Sequence, residues 1–202
     1  MTERSGTTAR GAARRELLIQ TTLRLIADRG VEAVSHRAVA DAAGVPLGST
    51  TYWFDSRQAM LREALESFVK VEIEGLRERL AGILDQRLSS ARLVDEFTAC
   101  LLPQLGKERW RTVAQYALLQ EAVHQPELRA ICREWNDAWI EVLSEVFSSL
   151  GSGDPGLEAR MFLAMLDGLL LGQLAVPEDD VEATLIRPAL EAWFSRARGG
   201  DE

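Results

Sequence analysis

S-H-R-A-V-A-D-A-A-G-V-P-L-G-S-T-T-Y-W-F-D-S-R, residues 35–57, reads as two short helices joined by a glycine turn. Ser35 stands where an N-cap is needed, with a hydroxyl able to accept an orphan N–H of a helix over His36–Ala43. Val39 and Ala42 are its inward positions. Gly44 closes it, since a left-handed residue ends a helix and glycine carries no Cβ penalty there. Val45 plugs the turn and a second short helix follows over Leu47–Phe54. Asp55, with Gln58 three residues on, reads as a capping box opening a long helix to about Leu84 or later.

Upstream, Leu18, Ile19, Thr22, Leu23 and Ile26 share one helical face, and Gly30 ends that helix with Arg29 in its last turn. Thr2–Ala9 reads as a flexible arm. One helix bracing two short ones makes a tri-helical unit whose second short helix fits a DNA major groove. Gly48, Ser49 and Thr50 are small enough for close backbone approach, and their hydroxyls, with the longer tip of Tyr52, can bond bases or phosphates. Trp53 suits the core and the DNA face equally. His36, beside the Ser35 cap, is expected to face DNA, and Arg37 either faces DNA or is solvated. Arg10, Arg14 and Arg15 are expected to steer phosphate, and Arg57 to contact it.

The net charge of −8 argues against nucleic acid, but its distribution does not: residues 1–57 hold eight Arg and six acidic residues, a net of +2 that leaves −10 on the remainder. Such asymmetry suggests two parts, a DNA-binding domain over 1–55 and a helical domain over 56–202. Cys100 and Cys132 show no CxxC or Cys/His spacing, so no metal or cofactor is expected, and free thiols suit a reducing cytoplasm. Met1–Arg15 has no apolar signal core, and Met161–Val176, interrupted by Asp167, Gly168, Gly172 and Gln173, falls short of the roughly 20 apolar residues of a membrane span. The two histidines are far apart and no nucleophile–base motif or phosphate loop appears, so an enzyme with catalytic residues is not expected. A helical adaptor that binds protein alone is the alternative.

The rest of the chain is helical in pattern, giving an all-α fold. Leu93–Leu101 marks one helix ending near Pro103–Gly106, Trp110–His124 another, and Pro126 opens a long one to Leu150. Gly151-Ser152-Gly153 is a linker, and Asp154-Pro155 starts a helix to about Val176. The last helix contains Pro188, so a kink or break is expected there, and Gly199–Glu202 is expected to fray. Trp110, Tyr116, Gln120, Glu121, His124, Trp135, Asn136, Trp139, Met161 and Met165 combine apolar walls with polar groups in the manner of a small-molecule pocket, or are plain core. Met161–Val176 is apolar nearly all round, and Phe162, Leu166, Leu169, Leu170 and Leu174 with Leu190 and Trp193 are candidates for a homodimer interface, against a central helix of a monomer.

The run L-R-L-I-A-D-R-G ending at Gly30, V-A-D-A-A-G-V over 39–45 and Gly48–Phe54 followed by D-S-R resemble the TetR/AcrR family of bacterial regulators over about Arg14–Leu61. The resemblance implies a homodimer with an N-terminal tri-helical helix-turn-helix domain and a variable C-terminal helical regulatory and dimerisation domain. It also implies a palindromic double-stranded operator, a small-molecule effector and, most often, repression. Pro46 and Leu47 replace a commoner polar pair, and Thr51 stands where many members have Tyr, with Tyr52 one place later. Arg57 keeps the charge of the family's Lys.

Overall fold

A computed structural model describes residues 3–84 and 89–196. Among the described residues it is all-helical with no strand: α1 (Glu3–Arg29), a 3-10 turn (Val31–Ala33), α2 (His36–Ala43), α3 (Leu47–Trp53), α4 (Arg57–Leu84), α5 (Ser90–Leu105), α6 (Arg109–Ala122), α7 (Pro126–Ser149), α8 (Pro155–Ala175), a π-helical turn (Glu182–Ile186) and α9 (Arg187–Arg196). Thr2, the stretch just beyond Leu84 and the expected frayed end at Gly199–Glu202 lie outside the described residues.

The chain divides into two compact units, and the division differs from the expected boundary at residue 55. One unit takes the residues up to Lys70 together with Trp110–Cys132; the other takes Val71–Arg109 and Arg133 onward. Thus the first half of α4, nearly all of α6 and the start of α7 join the three N-terminal helices.

In the first unit, α1 packs on α2 and α2 on α3. Leu18, Ile19, Leu23 and Ile26 of α1 are buried with Val39, Phe54, Met60 and Leu61. Burying each such side chain is worth about 1.5–3 kcal/mol. The helix start at Glu3 replaces most of the expected arm, since no proline interrupts 3–29. On α2, Ala42 is exposed and the neighbouring Ala40 is buried, because the helix contacts both α1 and α3 and its inward arc covers adjacent positions. Ser35 caps α2 as expected, accepting from Ala38 N–H at 3.2 Å. Gly44 has φ 66°, the left-handed conformation the turn requires. The cap of α4 differs from the expected Asp55 box: Ser56 Oγ accepts from Ala59 N–H at 3.1 Å, one residue later. Arg24 lies over the ring of Trp110 at 3.4 Å, which ties α6 to α1 by a cation–π contact.

In the second unit, α5 packs against α8 and α9. Its centre is an aromatic cluster: Phe162 meets Phe97 edge-on at 4.8 Å, Phe147 at 5.4 Å and Phe194 at 5.4 Å. Phe162, Leu166 and Leu170 form the inward stripe of α8, and Asp154 caps it by accepting from Leu157 N–H at 3.0 Å. The break expected at Pro188 takes the form of the π turn. Pro188 lacks the N–H that would bond the carbonyl of Thr184, and its ring crowds that carbonyl, so the chain widens before α9 begins at Arg187.

Candidate nucleic-acid interface

The second short helix presents a narrow outward face. Leu47, Gly48, Thr51 and Tyr52 are exposed, Tyr52 at 77% of its full area, with Pro46 exposed just before them. Ser49 and Trp53 are half-buried, and Trp53 sits edge-on to Tyr52 at 4.9 Å. A Cβ added at Gly11 would lie 3.6 Å from the Trp53 ring, so Trp53 turns inward against α1. At Gly48 an added Cβ would meet nothing within 4 Å. A glycine in a helix costs roughly 0.5–1 kcal/mol relative to Ala. Nothing among the described residues requires that cost.

Thr50 departs from the sequence reading. It is fully buried, and its hydroxyl donates to the carbonyls of Leu47 at 2.8 Å and His36 at 3.2 Å. It ties α3 to α2 and reads no base. Arg57 departs as well. Its guanidinium donates to Val31 O at 2.9 Å and Val34 O at 3.2 Å, clamping the start of α4 to the 3-10 turn, with exposed Glu32 at 3.4 Å. These internal bonds take up Nε and Nη2 of the guanidinium. Arg15 is paired with Glu63, whereas Arg10 and Arg14 are exposed and make no ion pair among the described residues.

Ser35 and Arg37 are exposed and line a surface groove with Arg29, Ala38, Asp41 and Ala42. Arg29 was legible only as a helix-terminal cation, because nothing in the sequence places it beside Arg37. His36 is half-buried, with its Nδ1 buried and without a partner.

Thr50→Val is expected to lower stability by about 1 kcal/mol, from two lost hydrogen bonds, and to leave base preference unchanged. Thr51→Ala and Tyr52→Phe are expected to shift preference at individual base positions by about 0.5–1.5 kcal/mol, the worth of a single hydrogen bond, with little change on random DNA. Competition binding with single-base operator variants, beside thermal melts, separates the two classes. A changed base preference in Thr50→Val sinks the assignment.

The effector-pocket candidates are divided between the two units. Trp110, Tyr116, Gln120, Glu121 and His124 belong to the first unit, and Trp135, Asn136, Trp139, Met161 and Met165 to the second. Trp110 is covered by Arg24, Glu121 accepts from Gln125, and Gln120, His124, Asn136 and Met161 are exposed. Tyr116, Trp135 and Met165 are half-buried. Trp139 alone of the ten lines the apolar cleft of the second unit, between α4, α5 and α7. The neighbours it finds there, Arg79, Phe97 and Cys100 among them, were not legible, because they come from helices far apart in sequence. Burial pushes the thiols of Cys100 and Cys132 up.

The dimer candidates also divide. Phe162, Leu166, Leu170 and Leu190 are buried within their own unit, so they are core and not interface; Leu169, Leu174 and Trp193 are half-buried. The free apolar face of α8 is a different one: Leu157, Met161, Ala164, Gly168, Leu171, Gly172 and Ala175 are all exposed, with exposed Arg160 at the edge of the stripe. Among the described residues no helix is long and apolar enough to cross a membrane, and no cluster of possible metal ligands occurs.

A three-helix head with its second short helix turned outward defines a helix-turn-helix DNA-binding regulator. Residues 18–64 match the family model for bacterial regulatory proteins of the tetR family, and residues 88–196 that for the tetracyclin repressor-like C-terminal domain. The chain belongs to the TetR family of transcriptional regulators, which removes the adaptor alternative. It is similar to a transcriptional regulator of Streptomyces coelicolor A3(2), 30% identical with a TM-score of 0.69, the match covering 90% of this chain and 98% of the other. The multidrug binding protein EbrR, solved with imidazole, is also 30% identical, with a TM-score of 0.66 and coverage of 90% and 89%. The HTH-type transcriptional repressor KstR2 of Rhodococcus jostii is 37% identical over 83 residues, so the match spans 41% of each chain.

Proposed function

We propose that this regulator is a homodimeric, ligand-responsive repressor acting on a palindromic operator in the cytoplasm, and that it has no enzymatic role. The observation that carries the reading is a set of helix glycines that nothing among the described residues explains. Gly48 on α3 leaves room for DNA. Gly168 and Gly172 on α8 likewise meet nothing within 4 Å of an added Cβ, and they lie in an exposed apolar seam. Small residues let two helices approach closely, and an apolar seam with a single cation, Arg160, at its edge suits a second copy of α8 related by a two-fold axis. Such a dimer carries two α3 helices and reads two half-sites related by the same symmetry, roughly 34–36 Å or a multiple apart.

Ligand response is supported by the apolar cleft of the second unit and by the likeness to EbrR, a multidrug binding protein solved with imidazole and with ethidium. The ligand shifts DNA affinity only by its differential affinity for the two conformations. Selection of bound duplexes from random DNA tests the operator. Enrichment of an inverted repeat with a fixed spacing is expected; enrichment of a single unpaired site, or none, overturns the dimeric reading.

A further inference from the structure

The cleft of the second unit is tight, with a cavity volume of about 30 Å³. Its walls are mostly apolar: Phe97 from α5, Leu76 from α4, and Val142 and Leu143 from α7. Its polar groups are unevenly answered. The Nε1 of Trp139 is buried and has no acceptor. An indole N–H can only donate, and a buried donor left unpaired is costly. Arg79 lines the same cleft, is exposed, and makes no ion pair among the described residues. The carboxylate of Glu96, also in the lining, is answered by Arg92 at 3.6 Å. Cys100 stays a neutral thiol: burial raises its pKa most, Glu72 and Glu108 add to that from outside the lining, and Arg79 opposes them. Trp139, whose buried Nε1 has no acceptor, and Arg79 thus both belong to the lining, and the one carboxylate there is already engaged.

We infer that the cleft takes a hydrophobic carboxylate, with the apolar body between Phe97 and Leu143 and an oxygen accepting from Trp139 Nε1 on the side of Arg79. This rests on the ligand-responsive reading above and gives it a chemical class. Because the cleft is narrow, a ring system entering it parts α5 from α7, and that movement is what couples the ligand to the protein.

Titration calorimetry on the full chain, with 2-naphthoate, 2-acetylnaphthalene and ethidium as probes, tests the class. Saturable binding is expected for naphthoate, stronger than for the neutral ketone or the cation. Trp139→Phe keeps the aromatic wall but removes the donor, and is expected to weaken naphthoate roughly tenfold. Arg79→Gln alters an exposed side chain without touching the core, and is expected to weaken it about threefold, with the loss shrinking at high salt. In an amide and indole ¹H–¹⁵N spectrum, naphthoate is expected to shift the Trp139 indole resonance. Tighter binding of ethidium, no binding of naphthoate, or an affinity unchanged in both variants overturns the inference. Release of a selected operator duplex is measured alongside. Ethidium binding in preference and releasing DNA sinks the carboxylate class and leaves ligand response standing. Naphthoate binding as expected without releasing DNA does the reverse.

Discussion

Gly168→Glu combined with Leu171→Glu is expected to yield a folded monomer that loses operator affinity by roughly 10²–10⁴-fold, the advantage of joining two binding modules. Both positions are exposed on α8 and belong to the apolar seam. In a pairing with its symmetry mate, each substitution buries like charges against apolar surface, which is costly. In the lone chain neither change touches the core, and replacing a mid-helix glycine gains roughly 0.5–1 kcal/mol of helix stability. The variant is therefore expected to melt no lower than the parent measured as a monomer, and still to bind an isolated half-site weakly. Leu170→Glu, one residue away but only 4% exposed, is expected to unfold the domain instead. Sedimentation and operator titration of the three proteins decide the matter. A double variant that remains dimeric and binds the operator normally places the interface elsewhere.

Arg57→Ala is expected to destabilise the DNA-binding unit by about 1–3 kcal/mol, since hydrogen bonds from a charged donor are worth about that much each. Two carbonyls, Val31 O and Val34 O, lose their guanidinium. The nearby Glu32 contributes little, because its side chain is 90% exposed. Arg57→Lys is expected to recover only part of the loss, since an ammonium lacks the planar fork that reaches both acceptors. The log–log salt slope of DNA binding is expected to stay unchanged in both variants. A slope lowered by about 0.9 would instead assign Arg57 to a phosphate.

Local signals carried most of the fold. The Ser35 cap, the Gly44 turn and the Asp154-Pro155 start each depend on residues within four positions, and each stands where the sequence puts it. The same short range explains the misses. Thr50 and Thr51 are adjacent hydroxyls of one type, and only the packing of α3 on α2 turns Thr50 inward to His36 O while leaving Thr51 outside. Arg57 looked like a surface cation because its acceptors lie more than twenty residues upstream. On α8, apolar residues occur all round, so periodicity could not separate the stripe through Phe162, Leu166 and Leu170 from the free one through Met161, Gly168 and Leu171. The cleft around Trp139 draws on three helices and had no sequence signature.

α3, L-G-S-T-T-Y-W, holds no Arg, Lys, Asn, Gln, Asp or Glu. The two-pronged pairings by which proteins single out guanine or adenine are therefore beyond it, leaving lone hydroxyl contacts and the touch of Leu47 or Thr51 on a thymine methyl. Each base then weighs little by itself, and in the proposed dimer the demand for two half-sites at a fixed separation supplies the remaining discrimination. Binding sites for such a reader can drift by single bases and keep their occupancy. A promoter with one passable half-site needs only a few substitutions at the right distance to come under its control, so its set of target genes is open to change over evolutionary time.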